Sequence, residues 1–66
     1  MTRYVHIVQV HPVENGEPNT YKVLMEREFD NKWKADNWIT SFNEFAGHAE
    51  KAVYLGCVND ETGELV

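Results

Sequence analysis

Apolar residues recur at Ala35, Trp38, Ile39, Phe42, Phe45 and Ala46, and offsets of three, four, seven, ten and eleven gather on one face of a helix with about 3.6 residues per turn. No other stretch of the sequence carries this period. Whatever sheet the remaining residues build therefore has a single helix available to cover it. Asp30 or Asn31 can cap the free amides at the start of this helix, and Gly47 suits the left-handed conformation that often follows its last turn.

The flanking residues read as strands. Residues 3–11 carry Tyr4, Val5, Ile7, Val8 and Val10, β-branched and aromatic types, and the run stops at Pro12. Residues 14–19 follow as a hairpin loop, with an Asn15-Gly16 pair that tolerates positive φ and a Pro18 that cannot donate to a ladder. Residues 20–29 alternate, placing Tyr21, Val23, Met25 and Phe29 on one face and Lys22, Leu24, Glu26 and Glu28 on the other. A third strand is expected at residues 51–58. The turn chemistry of Asn59, Asp60, Glu61, Thr62 and Gly63 can then fold residues 64–66 back as a short fourth.

The expected fold is α+β, ββαβ with an optional final strand. A right-handed crossover through the helix makes strand three parallel to strand two. Setting strand three beside strand one gives an antiparallel sheet ordered 2-1-3, or 2-1-3-4 with the tail, and the amphipathic helix lies on one face. A chain of 66 residues buries only about 60% of its unfolded surface, so residues 1–66 are expected to form a single domain around one core.

Composition narrows the function classes. Eleven acidic residues against six basic ones give a net charge of −5, and the basic residues are scattered, with Lys32 and Lys34 the nearest thing to a cluster. Duplex binding needs clustered Lys and Arg to displace counterions from phosphates, so direct nucleic-acid binding is disfavoured. An acidic mimic of DNA that occupies a basic cleft is an alternative. Cys57 is the lone cysteine, which excludes an internal disulfide and favours a reducing, cytoplasmic setting. The segment Met1-Thr2-Arg3-Tyr4 and the polar residues His6, Gln9 and His11 after it leave no secretory core and no membrane span there.

Candidate chemical groups are sparse. His6 and His11 are five apart on a strand and point to opposite faces, and His48 lies beyond the helix. Together with Cys57 they form no short-range metal-ligand pair. Cys57 alternates within an apolar strand, where a thiol acts as a small hydrophobe. Glu26 and Glu28 share a strand face near Lys22 and Arg27, which makes a solvated edge and not an acid–base pair. No phosphate loop or nucleophile motif accompanies them. The expectation is a protein without catalytic residues, metal or cofactor.

Two surface features suggest binding instead. The strands are apolar on both faces, and the expectation is that Tyr4, Val8 and Val10, with Leu24, lie on the face the helix leaves open, as a patch for a partner or a second copy. Trp33 falls opposite the Trp38, Ile39 and Phe42 stripe, beside Asn37, Thr40 and Glu44. A tryptophan among polar residues has the composition of an interface anchor; the alternative is that it folds down over the end of strand two near Phe29. The candidate protein-binding residues are therefore Trp33, Asn37, Glu44, Val8, Val10 and Leu24.

The run Arg27-Glu28-Phe29-Asp30, then Ala35-Asp36, Trp38-Ile39 and Phe42-Asn43, resembles the strand-to-helix junction of many small bacteriophage proteins. The resemblance brings no catalytic residues. It implies a product that attaches to a host protein, such as a component of the transcription, defence or metabolic machinery, and alters it. The leading expectation is thus a protein-binding module, a phage-encoded modulator or inhibitor of a host factor, and the alternative is a self-associating accessory protein that forms a homodimer.

Overall fold

A computed structural model describes residues 3–66. Met1 and Thr2, which open the segment read for targeting signals, lie outside the described residues. The elements follow in the order β1 (Tyr4–Glu14), β2 (Glu17–Pro18), β3 (Met25–Phe29), α1 (Lys32–Ala46) and β4 (Glu50–Asn59).

β1 is the hub of an antiparallel sheet: β2, β3 and β4 each pair with it. β3 lies alongside from His6↔Phe29 to Val10↔Met25, and β4 from Tyr4↔Asn59 to Pro12↔Glu50. This is the expected α+β fold in 2-1-3 order, β3 and β4 being the second and third expected strands. Because both run antiparallel to β1, they are parallel to each other, and α1 makes the crossover between them. The optional fourth strand is reduced to one antiparallel bridge, Val58↔Leu65.

The hairpin after β1 is tighter than a six-residue loop. Val13↔Pro18 and Glu14↔Glu17 pair directly, and the two residues between them, Asn15 and Gly16, both have positive φ, 56° and 82°. That is the two-residue turn whose twist matches a hairpin, and it carries β1 through Pro12 instead of ending there. The returning strand does not run from 20 to 29 as its alternation suggests. The Asn19 side chain accepts from the Tyr21 amide and its carbonyl from the Lys22 amide, a local turn that competes with the ladder, so pairing resumes only at Met25.

The core lies between β1, β4 and α1, where Val8, Val10, Ala35 and Ala52 are buried with Phe29, Trp38, Ile39, Phe42 and Tyr54 packed around them. Asn31 caps α1, its side chain accepting from the Lys34 amide at 2.8 Å. Ala35 is fully buried, which lets the helix axis approach the small residue Ala52 on β4.

Val8 and Val10 were expected on the open face; they lie instead beneath the helix, 0% and 1% exposed. The sheet has apolar residues on both sides, so alternation alone does not choose between them. What decides is the neighbours that register brings in: Phe29, Met25, Ala52 and Tyr54 join the Val8 and Val10 face, with Arg27 and His6 as its polar members, whereas Gln9, His11, Glu26, Glu28 and Lys51 share the other. The helix covers the side with less polar surface to desolvate. Leu24 is not on the Val8 face either. It precedes β3, half exposed, with its amide donating to the Val10 carbonyl at 2.8 Å.

The face away from the helix still buries Val5 and Ile7. Leu65 folds back over Gly56, which pairs with Ile7, and a Cβ at position 56 would sit 2.8 Å from the Leu65 Cδ1. With φ of 146°, this position favours glycine on both counts. Farther along the same face, His11 is buried and its Nδ1 donates to the Lys22 carbonyl at 2.7 Å, so residues around Lys22 form its lid.

Asn43 ties α1 to β4. Its Oδ1 accepts from the Ala52 amide at 2.8 Å and its Nδ2 donates to the Ala52 carbonyl at 3.2 Å. Asn43→Ala is expected to cost about 1–3 kcal/mol, because a partly buried amide and carbonyl lose their partner together. A urea melt checks the cost, and faster exchange of the Ala52 amide checks the cause; a melt unchanged from wild type would mean the pair contributes nothing.

Candidate functional site

The residues on either side of the buried stripe of α1 sort into two flanks at ~100° per residue. Lys32 and Asn43 reach β4, the first with its Nζ 5.4 Å from the Tyr54 ring centroid. The opposite flank, with Lys34, Trp38 and Ser41, therefore faces β3. There Trp38 packs at 5.1 Å on Phe42 and 6.0 Å on Phe29, centroid to centroid, and the Arg27 guanidinium lies 5.4 Å over its ring.

An open, mostly apolar groove of about 390 Å³ runs along this flank, lined by Phe29, Trp33, Lys34, Asn37, Trp38 and Ser41. Trp33 is 71% exposed and forms its outer wall; it does not fold down to bury itself against Phe29, although both line the groove. Lys34 is held by Asp30, 3.1 Å away, and the hydrogen bond and charge of Lys34 hold the Asp30 carboxyl below its usual value. That pair spans one helical turn at the groove's end, where an exposed ion pair stabilises little.

Of the expected binding residues, Trp33 and Asn37 meet in this groove. Glu44 is exposed but does not line it, Leu24 lies apart on the approach to β3, and Val8 and Val10 are in the core. Phe45, expected on the buried stripe, is 90% exposed. A 15-residue helix is about 22 Å long and a five-residue strand about 17 Å. With residues 19–24 in a loop, the β3-facing flank of the last turn of α1, where Phe45 lies, runs past the start of β3. Trp33 was legible from the helical wheel, whereas Phe45 was not, because the length of β3 depended on the Asn19 turn.

The chemical candidates stay apart. His6 Nδ1 lies 2.9 Å from the Tyr54 hydroxyl, its ring stacked on that of Tyr54, while His11 is on the other face. Glu26 and Glu28 are exposed on the strand edge, and Lys22 pairs with Glu14 at 3.8 Å. Glu26 accepts from Gln9 Nε2 at 3.0 Å. A larger concavity of about 570 Å³ near the end of α1, with Asn43, His48, Glu50 and Lys51 on its walls, gathers no cluster of three or more metal-ligating side chains among the described residues. No helix among the described residues is long and apolar enough to cross a membrane. No family model, no curated protein and no solved structure matches the chain.

Proposed function

We propose that this domain works by binding another protein through the flank of α1 that faces β3, with Trp33 as the anchor. The observation that carries this reading is a tryptophan left 71% exposed on the wall of an apolar groove, since a domain with one small core gains stability by burying such a ring and here does not. Other large apolar residues are exposed farther from Trp33: Met25 at the start of β3, Val23 and Leu24 before it, and Phe45 at the far end of α1. The resemblance to small bacteriophage proteins extends the proposal to a host factor as the partner, met in a reducing cytoplasm that keeps Cys57 free.

The test is capture from bacterial lysate on immobilised wild-type domain, followed by isotherms of the captured protein with wild type and Trp33→Ala. Trp33→Ala is expected to lose about 1–2 kcal/mol of binding or more, roughly five- to thirtyfold in Kd, and to melt as wild type does. Capture of nothing, or equal affinity for both forms, would overturn the reading.

A further inference from the structure

The two edges of the sheet are treated differently. On β1 the Val13 amide donates to Ala49 and the Val10 carbonyl accepts from Leu24, so backbone groups of odd-numbered residues point to β4 and those of even-numbered residues to β3. The residues of β4 whose backbone points outward are Glu50, Ala52, Tyr54, Cys57 and Asn59, and three of these five are closed, so that Glu50 and Tyr54 are each isolated beside a closed position. Ala52 is taken by the Asn43 side chain, at 2.8 and 3.2 Å. The Cys57 carbonyl accepts from Val66 at 2.7 Å, and Asn59 exchanges bonds with Glu64 and Gly63 at 2.9 and 2.7 Å.

On β3 the inward-pointing groups belong to Met25, Arg27 and Phe29, each opposite an even-numbered residue of β1. The amides and carbonyls of Glu26 and Glu28 point away from the sheet, and among the described residues nothing pairs with them. The edge whose outward positions are open without interruption is thus the one beside the aromatic groove.

We infer that a partner docks here by adding an antiparallel strand to β3, in a segment with basic residues opposite Glu26 and Glu28 and an apolar residue between them. The geometry sets this pattern. Residues that exchange hydrogen bonds with Glu26 and Glu28 stand directly opposite them and share their face, where two carboxylates with no cationic partner among the described residues favour Lys or Arg. The residue between them, opposite Arg27, points to the α1 side, where the groove with Phe29, Trp33 and Trp38 lies. The net charge of −5 favours approach of a basic segment.

The same charges argue against a second copy as occupant. A two-fold pairing of β3 centred on Arg27 sets Glu26 against Glu28 twice and Arg27 against itself. Centred on Glu26 or Glu28, it sets that glutamate against its own copy. Like charges directly opposite one another destabilise a pair, and charged edges are a device against self-pairing.

This inference rests on the protein-binding reading and specifies its mode. The probe is the acetylated, amidated peptide Thr-Lys-Val-Lys-Leu-Lys-Thr at about 1 mM, the range for a short extended ligand. Two controls accompany it, one with glutamate in place of lysine and one N-methylated at the lysines. Exchange of the Glu26 and Glu28 amides is followed by NMR, and the lysine peptide is expected to slow both about twofold or more, the factor for half occupancy. No slowing, or equal slowing by either control, overturns the inference. If Trp33→Ala weakens partner binding while these amides stay fast, strand addition falls and the binding function stands. If the amides slow but Trp33→Ala binds the captured protein as wild type does, the α1 anchor falls instead.

Discussion

Val8→Lys is expected to abolish cooperative folding. Val8 is fully buried at the centre of β1, directly opposite Arg27 on one side and Tyr54 on the other, beneath Ala35 of the helix. The change removes a buried valine, worth about 1.5–3 kcal/mol. It also puts an ammonium among Val10, Ala35, Ala52 and Phe42 with no carboxylate in the core to pair with. An uncompensated buried charge costs several kcal/mol more, about 3–5 by comparison with broken buried pairs. A domain of this size has a stability near the low end of about 5–15 kcal/mol, so the sum leaves little or nothing. Far-UV and near-UV circular dichroism with a thermal melt checks it, and Gln9→Lys, one residue along on the other face, is the control that should fold. If Val8→Lys melts within a few degrees of wild type, the helix covers the other face of the sheet.

Trp38→Ala is the second large effect. Trp38 is half-buried and joins α1 to β3: its ring packs against Phe29 of β3 and Phe42 of α1 and carries the Arg27 guanidinium of β3 on its face. Truncating a core tryptophan costs about 3–5 kcal/mol, and partial exposure places this one near 3. At about 4–8 °C per kcal/mol for a domain of 60–100 residues, the melting temperature should fall by roughly 12–24 °C. Trp38→Phe should recover most of the loss, because it keeps an aromatic ring between Phe29 and Phe42. A Trp38→Ala domain that melts like wild type would show that the packing of α1 on β3 does not depend on this ring.

These two expectations differ in how much of each was legible in the chain. The role of Trp38 follows from the helical spacing of Ala35, Trp38, Ile39 and Phe42, a local pattern that survives any arrangement of the sheet. The role of Val8 does not. Its strand reads the same whether the helix lies above the even-numbered or the odd-numbered residues, since Val5 and Ile7 are as apolar as Val8 and Val10. Likewise Trp33 and Asn37 could be placed together on the outer side of the helix from sequence, but their groove could not. It exists because Phe29 closes one end of it, and that depends on the register of β3 against β1.

The sequence by itself determined the elements governed by short-range physics: one helix, from its 3.6-residue stripe with a cap at Asp30 or Asn31; a hairpin connection containing Asn15-Gly16, from the tolerance of both residues for positive φ; and strands from runs of β-branched and aromatic residues. It also determined the order 2-1-3, because a parallel crossover and an antiparallel hairpin leave few alternatives. The tertiary structure decided which sheet face is covered, which of Asp30 and Asn31 caps the helix, how tight the first hairpin is, how long β3 is, that Phe45 stays outside and that one edge of the sheet is interrupted by Asn43 and the C-terminal residues while the other is open. Each of these compares the desolvation and pairing of residues far apart in the chain, such as Asn43 with Ala52 or Leu65 with Gly56. Such comparisons have no periodic trace in the sequence, because they depend on which distant residues register brings opposite one another.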